Sequence, residues 1–424
     1  MKKYSLLVFF LISFPAVQAF APVNFLSPYD PLWQPYHTHV CGFDFSLGIE
    51  SGSKGSSSDI KGNRQTLLGV YNPTQSIIPM LENPQGSVAS AGASAILMGF
   101  MTAGGPFTDD GTRGNVRMFA TFKETNINLT GGYTFNISGL PGYFTINLYL
   151  PIKDMRVSDF MFQDLTQSNF MSELAMQAFI RDLANQAQQL GGLSLDNWHE
   201  SGLGDVVLLL EWSKKIMPSY GKLKVITPYL RFGVSMPTGE SVDINKMLSM
   251  PLGNGGQVGL PLAAGFDFEF AGHLRAGVYA EVMYFFDHTH ERRLKTAITQ
   301  TEPLLLNVGN ATKNFGSTWI FEAYAEAFKI WRGFSVKLAW QYVHHDDDKL
   351  FTKDPAFSND IINTANSLKD WTMHNLMLQG TYDFSKEFDQ TWLTPYIGIF
   401  YKFGVGGQGI IDNNTVGGML GVGF

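Results

Sequence analysis

Apolar and polar residues alternate with a period of two in many separate stretches of this chain. In the first stretch Phe43, Phe45 and Leu47 occupy odd positions, while Asp44 and Ser46 occupy even ones. A period of two sends successive side chains to opposite faces, so each stretch is predicted to be a β-strand with one apolar face. The twelve predicted strands lie near residues 38–50, 115–138, 143–155, 203–214, 223–236, 257–270, 274–287, 316–330, 334–344, 370–384, 393–405 and 415–424.

The connections between these strands alternate between short and long. Five are short, near 139–142, 215–222, 271–273, 331–333 and 385–391. An even number of strands with short turns at one end and long loops at the other is typical of an antiparallel up-and-down transmembrane β-barrel. The sequence therefore predicts an all-β barrel of about 12 strands, with short periplasmic turns and long external loops. Fourteen strands is the alternative, because residues 51–114 are long enough to hold two more.

Charged residues indicate which face of each strand is turned toward lipid. A Lys or Arg that faces lipid at mid-bilayer costs about 2–4 kcal/mol, whereas one that faces the lumen does not. The charges in the middle of the predicted strands share the polar face. Ten of them are predicted to line the lumen: Asp44, Arg231, Asp267, Glu269, Arg275, Glu281, Glu322, Glu326, Lys337 and Lys402. A soluble β-sandwich also alternates, but long strands, alternating connection lengths and a final strand that ends on Phe424 favour the barrel.

The second predicted strand changes phase along its length. Val116 and Met118 hold even positions, whereas Ile127 and Leu129 hold odd ones. If all the apolar side chains of this strand lie on one face, one extra residue must be accommodated between its two halves. The sequence therefore predicts a β-bulge near residues 123–124.

The N-terminus predicts the compartment. Lys2 and Lys3 precede a short apolar run, 6–17, and Val17-Gln18-Ala19 offers a cleavage site. This is the pattern of a secretory signal peptide, and the run is too short for a membrane-spanning helix. We therefore predict a signal peptide over residues 1–19 and an outer-membrane barrel over residues 20–424.

Composition excludes other classes of protein. The formal charge is −7 and only 16% of residues are charged, so the basic surface of a nucleic-acid-binding protein is absent. A single cysteine, Cys41, cannot form an internal disulfide. We predict no cofactor and no nucleic-acid partner.

Two segments between strands have features of their own. Residues 51–114 form the longest loop, in which the small-residue run 93–103 is predicted to act as a plug in the lumen or as an external lid. Residues 165–191 are predicted to be a helical loop insertion, because Phe170, Leu174 and Phe179 recur at helical spacing. This helix is interpreted as a structural cap, with a gate over the pore as the alternative.

Two polar groups suggest other chemistry. His288, His290 and Glu291 lie in one predicted external loop and the run 344–348, His-His-Asp-Asp-Asp, lies in the next. They are interpreted as solvated loop charges rather than a metal site, because no ligand spacing is diagnostic. His199 and Ser201 share one face of a strand, as the Ser–His pair of outer-membrane phospholipases does, but no third group is evident. We therefore predict that the chain is not an enzyme.

Short motifs indicate a resemblance to a known family. Gly-Leu-Gly-Asp at 202–205 and Pro-Thr-Gly-Glu at 237–240 resemble the entry and exit of two strands in the putative outer-membrane proteins of the MetA pathway of phenol degradation. That family is itself similar to FadL-type channels for fatty acids and aromatic hydrocarbons. The resemblance covers mainly residues 201–285 and implies hydrophobic or aromatic solutes. The mature N-terminus departs from the Asn-Pro-Ala plug segment of FadL, so a plug of that type is not implied.

The predicted function is passive uptake of small solutes through an outer-membrane channel, with a weak preference for cations. A structural or adhesive barrel is the main alternative, and a phospholipase-like hydrolase is the other. The expected partners are outer-membrane lipids, the solute, and the barrel assembly machinery. Phe424, with apolar residues at alternate preceding positions, resembles the signal that this machinery recognises.

Overall fold

The computed structural model describes residues 29–33, 41–82, 87–102, 113–166, 171–218, 221–270, 273–384, 393–412 and 414–424. The predicted signal peptide and the last residue of the predicted plug, Ala103, lie outside these ranges. Twenty strands are described: β1 Gly42–Lys54, β2 Ser56–Ser58, β3 Arg64–Thr66, β4 Gln75–Ser76, β5 Asn115–Phe135, β6 Tyr143–Asp164, β7 Trp198–Leu203, β8 Val206–Ser213, β9 Leu223–Met236, β10 Gly259–Phe270, β11 Leu274–Phe285, β12 His288–Arg293, β13 Val308–Asn314, β14 Thr318–Trp331, β15 Phe334–His345, β16 Lys349–Phe351, β17 Trp371–Asp383, β18 Thr394–Gln408, β19 Ile410–Ile411 and β20 Thr415–Gly423.

Twelve of these strands form a closed antiparallel barrel. Around the ring they follow the order β5-β1-β20-β18-β17-β15-β14-β11-β10-β9-β8-β6, and pairing of β5 with β6 closes it. The short strands β4 and β7 extend the sheet without joining the ring. The prediction of a twelve-stranded up-and-down barrel is therefore confirmed, and the fourteen-stranded alternative is not needed. We call the end with the short connections the turn side and the other end the loop side.

The strands carry apolar residues on the outside of the barrel. Phe43, Phe45 and Ile49 of β1 are exposed, while Glu50 beside them is buried. Across the seam between first and last strands, the backbone N–H of Phe43 donates to the carbonyl of Phe424 at 2.7 Å. Neighbouring strands pair in a register that keeps these faces aligned, because a slip by one residue would turn every apolar side chain inward.

β5 and β6 extend well beyond the rest of the barrel on the loop side, with 21 and 22 residues. The pairing of β5 with β1 is continuous from Phe122 to Thr134, so the predicted β-bulge at 123–124 is wrong. Phe122 and Glu124 both face inward. The inward-facing side chains of β5 are polar inside the barrel and apolar beyond its loop-side end. The apparent change of phase in the sequence therefore reflects a change in what these side chains pack against. The register shift that does occur in this strand pair lies between Phe119 and Thr121.

The loop side is covered by a folded cap, which we define as the six loop-side connections together with the outer ends of β5 and β6, residues 115–124 and 153–164. It contains the described helices α1 Ile77–Met80, α2 Ser87–Thr102, α3 Met171–Arg181, α4 Leu183–Gly191 and α5 Asn359–Ile362. Two three-stranded sheets, β12-β13-β16 and β19-β2-β3, complete it. None of the described helices is long and apolar enough to cross a membrane.

One hydrophobic core joins the connections of the cap. It includes Leu68 of the first connection, Phe122 of β5, Leu183 of α4, Leu252 and Leu304, all nearly inaccessible to solvent. α3 and α4 occupy the predicted helical insertion, and α4 ends at Gly192 with φ of 63°. α2 packs on this pair, where the rings of Phe100 and Phe179 meet edge to face. Packing of this kind fits the predicted structural cap, while the plug, lid and gate roles stay predictions.

Arg293 ties three of these connections together. Its guanidinium donates to the carbonyls of Gly191 at 3.0 Å, Ile244 at 2.5 Å and Leu305 at 3.0 Å. Burial lowers the pKa of Arg293 to about 10. A buried cation of this kind is stable only because carbonyl oxygens surround it.

Candidate functional site

The inner wall of the barrel is crossed by ion pairs between neighbouring strands. Glu211 of β8 lies opposite Arg231 of β9, and their side chains meet at 2.6 Å, both buried. Arg275 of β11 lies between Glu269 of β10, at 3.9 Å, and Glu326 of β14, at 2.9 Å. Pairing across adjacent strands satisfies charges that would otherwise be costly in a narrow lumen.

Residues 29–33 lie across this lumen, although no pattern in their sequence predicted a role for them. The hydroxyl of Tyr29 donates to Glu281 of β11, which also accepts a hydrogen bond from Tyr279. The ring of Tyr29 stacks on Tyr149 of β6, with 5.2 Å between ring centroids. One end of the segment is thereby fixed to one side of the barrel.

The other end of the segment is fixed to the opposite side. Asp30 accepts a hydrogen bond from Lys402 of β18 at 2.6 Å. Lys337 of β15 donates to the carbonyl of Leu32 at 2.8 Å. The Leu32 side chain is 3% exposed and packs in an apolar group with Phe400 and Met419. The N-terminal segment therefore obstructs the lumen through charge and apolar packing together.

A cavity of about 240 Å³ adjoins the segment and extends toward the turn side. Pro31 and Leu32 form part of its wall, and Tyr143, Lys215 and Thr394 line it near the turn-side ends of their strands. Its wall combines six aromatic rings with charges of both signs. The rings belong to Tyr143, Tyr229, Tyr279, Tyr324, Phe328 and Tyr396.

The ten predicted lumen residues fall into three groups. Seven line this cavity: Asp44, Arg231, Asp267, Arg275, Glu322, Glu326 and Lys337. Glu281 and Lys402 hold the N-terminal segment, and Glu269 lies beside Arg275. Their part in solute passage stays a prediction.

A polar layer of the inner wall, where the barrel part of β5 meets the cap, was missed. Lys54 of β1 pairs with Glu124 of β5 at 2.6 Å, and Asn126 donates to Glu124 at 2.6 Å and to Glu50 at 3.1 Å. The inward-facing residues of β5 hold even positions along the whole strand. Without the wrongly predicted β-bulge, this rule identifies Glu124 as inward-facing. Similarly, about twenty residues separate the predicted cleavage site from β1, and a segment of this length must be accommodated somewhere in the fold.

The two motifs of the family resemblance contact each other directly. The carboxylate of Asp205 accepts hydrogen bonds from the backbone N–H groups of Gly239, at 2.9 Å, and Asn254, at 2.5 Å. Thr238 donates to the carbonyl of Gly204 at 2.7 Å. A side chain on Gly204 would collide with the carbonyl of Leu252. The motifs therefore fix the connection between β9 and β10 onto the junction of β7 and β8.

The histidine and aspartate residues of the cap form a hydrogen-bonded network. His345 contacts Thr318 at 2.8 Å and Asp348 at 3.0 Å, and Lys313 pairs with Asp348 at 2.6 Å. Burial alone would raise the pKa of Asp348, but Lys313 and His345 outweigh it and lower the pKa to about 2. Within the described residues, no three His, Cys, Asp or Glu side chains converge as metal ligands would.

The outer surface of the cap carries the predicted His–Ser pair. His199 and Ser201 of β7 point outward, and the His199 Nε2 atom lies 2.6 Å from the Asp154 carboxylate on β6. In the strand register Ser201 lies directly opposite Asp154. Asp154 therefore contacts His199 and faces Ser201 across the strand pair.

Comparisons with known proteins concern the fold. No family model matches the sequence, and no curated protein matches it. The structure is similar to the COG4313 outer membrane channel from Pseudomonas putida F1, with a TM-score of 0.51, 9% identity, and coverage of 93% of this chain and 100% of that one. The fold is that of an outer-membrane barrel.

Two further solved structures align less well. The transport unit of the autotransporter AIDA-I from Escherichia coli has a TM-score of 0.39 and 10% identity, covering 96% of this chain and 99% of its own. A Pseudomonas aeruginosa FadL homologue has a TM-score of 0.31 and 10% identity, covering 90% of this chain and 89% of its own. The family suggested by the two motifs stays a prediction.

Proposed function

We propose that this chain is an outer-membrane channel for passive uptake of small solutes, with the loop side external and the turn side periplasmic. The observation that carries the proposal is a charged and aromatic inner wall around a cavity that an N-terminal segment obstructs. A purely structural barrel has no need of a cavity inside its strands. In this proposal, displacement of residues 29–33 opens the path.

The cavity wall supports solutes that are small and partly aromatic. Six rings give flat apolar surfaces, and the charged groups give hydrogen-bonding partners for a polar substituent. Six acidic and five basic side chains line the cavity, so a weak preference for cations is expected when water fills it. The acids are Asp44, Glu211, Asp267, Glu322, Glu326 and Asp383; the bases are Lys215, Arg231, Arg275, Lys329 and Lys337.

Single-channel recording in planar bilayers tests this proposal. The mature protein is compared with a variant that lacks residues 20–33 and with the milder double variant Asp30→Asn, Leu32→Ala. We expect the deletion to increase conductance most and the double variant to lengthen open times. A folded deletion variant that shows no conductance would contradict the channel and favour a structural or adhesive barrel.

A lipid ester hydrolase is a second candidate, favoured by the short contact between His199 and Asp154. In this mechanism His199 accepts the Ser201 proton as the hydroxyl oxygen attacks an ester carbonyl, and Asp154 orients the imidazole. His199 then protonates the leaving alcohol, and water releases the acid from the acyl-enzyme. Hydrolysis of a phospholipid by wild type but not by Ser201→Ala would support it; equal rates would exclude it.

A further inference from the structure

Four aromatic side chains on the inner wall of the barrel lie directly opposite glycines of a neighbouring strand. The register pairs Tyr229 with Gly265, Tyr324 with Gly277, Tyr396 with Gly421 and Phe400 with Gly417. The glycines occupy inward-facing positions of β10, β11 and β20, so all four pairs face the lumen. The same arrangement of ring and glycine therefore recurs on three separate strand pairs.

Each glycine provides the space in which the opposing ring lies. A Cβ atom on Gly277 would overlap Cε1 of Tyr324, and one on Gly421 would overlap Cζ of Tyr396. The other two pairs show the same overlap. Side chains on a strand normally stand perpendicular to the sheet, which on an inward face means toward the middle of the lumen. These rings instead lean onto the neighbouring strand and lie against the barrel wall.

Three of the four rings border the cavity. Tyr229, Tyr324 and Tyr396 line it, whereas Phe400 packs in the apolar group around Leu32. Neighbouring strands are only about 4.8 Å apart, so a ring that leans sideways covers the backbone of the next strand and leaves the middle of the lumen open. The free width of the cavity at each tyrosine therefore depends on the residue opposite.

Gly277 shows this dependence most directly. In the strand register it lies between Asp267 on one side and Tyr324 on the other. The Tyr324 hydroxyl donates to Asp267 at 2.6 Å, so this hydrogen bond passes over Gly277 from β14 to β10. A Cβ atom on Gly277 would overlap both partners. A side chain at this position would therefore break the hydrogen bond and turn the Tyr324 ring toward the cavity.

We propose that Gly265, Gly277 and Gly421 determine how wide a solute the cavity accepts, because they let three tyrosine rings lie against the wall. The inference rests on the proposed channel function, which it deepens by assigning the size limit for solutes to these three pairs. A larger residue at any of these positions displaces a ring into the cavity and lowers the size limit. Packing of a ring on a glycine also stabilises a sheet, so the test separates width from stability.

Thiol labelling measures the width of the cavity without ion flow. The reporter is Ala339→Cys in the mature chain that also carries Cys41→Ser, because Ala339 lines the cavity and packs in the same apolar group as Leu32. The probes are methyl and benzyl methanethiosulfonate, which are both uncharged and differ in size. Their rates at the exposed Cys41 of the otherwise unaltered chain correct for their different reactivities.

Gly277→Ala is expected to slow labelling by the benzyl reagent at least tenfold and labelling by the methyl reagent less than twofold. Tyr324→Ala is expected to speed labelling by the benzyl reagent. The two changes together restore fast labelling, because the ring that the new methyl group displaces is gone. The matched control, Gly418→Ala, is expected to leave both rates unchanged, because Gly418 lies on the outer face of β20 opposite Ile49 and Ile399.

Unchanged rates in Gly277→Ala would overturn the proposal, and so would equal slowing of both reagents, because the cavity would then close rather than narrow. A glycine that only stabilises the sheet would lower the urea midpoint of this variant and leave the ratio of the two rates as it is, which also contradicts the proposal. No labelling by either reagent would mean that the cavity is closed to solution, with the same consequence.

Two further arms keep the result decisive. If Gly277→Ala does not fold, as judged by heat-dependent gel mobility, Tyr324→Ala decides alone, and benzyl labelling no faster than in the reporter protein would contradict the proposal. Labelling does not depend on conductance. The expected change in the ratio of rates in a barrel that conducts no ions would therefore contradict the channel and leave the assignment of width to the glycines standing.

Discussion

The barrel and the cap are built on the same two strands with opposite arrangements of polarity. In the barrel part of β5, Leu129 is exposed on the outside and Asn126 is buried on the inside. In the cap part of the same strand, Met118 and Phe122 are buried on the inside, and Lys123 is exposed. The inward face never changes. What changes is the surrounding solvent, because lipid requires an apolar exterior and water permits an apolar interior.

Phe122→Ala is expected to have the largest effect of the changes considered. Phe122 is completely buried in the cap core, and removal of its ring leaves a cavity in well-packed surroundings. Such truncations cost about 3–5 kcal/mol. Urea unfolding followed by protease sensitivity of the cap measures the loss.

The matched control for this change is Leu129→Ala, seven residues along β5 on the lipid-facing side. Its expected cost is about 1 kcal/mol, because lipid chains fill the space that the side chain leaves. Equal losses at the two positions would show that the barrel exterior is packed like the cap core, and the comparison between the two regions would not hold.

Leu148→Arg tests the barrel half of the comparison. Leu148 faces outward midway along the barrel part of β6 and is exposed on the outer surface. The charge is expected to cost about 2–4 kcal/mol in the free energy of unfolding measured in vesicles. Ser158→Arg, ten residues further along β6 in the cap, is expected to change stability by less than about 0.5 kcal/mol. A cost as large at Ser158 would place the cap within the bilayer.

The sequence was sufficient for the barrel because alternation is a local signal. Each strand of the ring, its turns and the inward position of Arg231 or Glu322 follow from the period of two and from the charges alone. The pairing of Glu211 with Arg231 follows as soon as adjacent strands are aligned by their apolar faces. Lipid imposes the same rule on every strand, so one rule predicts them all.

The cap and the N-terminal segment were not predictable in the same way. The apolar residues of the cap pack against partners hundreds of residues away, so no local period reveals their place. The bulge was wrong because the exterior was assumed to be apolar along the whole of β5. Asp30 contacts Lys402 across the folded barrel, and the distance between them in the sequence, 372 residues, leaves no local sign of that contact.

Acid is expected to loosen the cap before the barrel. The pKa of Asp348 is about 2 in the folded protein and near 4 in an unfolded chain, so its stabilising contribution is complete above about pH 4 and is lost as the pH falls toward 2. The size of this contribution is about 2 kcal/mol. Asp348→Asn is expected to remove this pH dependence from cap proteolysis, while Asp346→Asn, at an exposed position, keeps it. Cap and barrel unfolding together at one pH would contradict this order.

The smallest expected effect distinguishes a wet lumen from a dry cap. The hydroxyl of Tyr324 donates to Asp267 at 2.6 Å beside the cavity, whereas the hydroxyl of Ser57, fully buried, donates to the carbonyl of Thr66 at 2.6 Å. Tyr324→Phe is expected to cost about 0.5–1 kcal/mol, because water in the cavity replaces the lost donor. Ser57→Ala is expected to cost about 1–3 kcal/mol, because the carbonyl loses its donor where water has little access. Urea midpoints of the two variants measure the difference, and a larger loss for Tyr324→Phe would mean that the cavity excludes water.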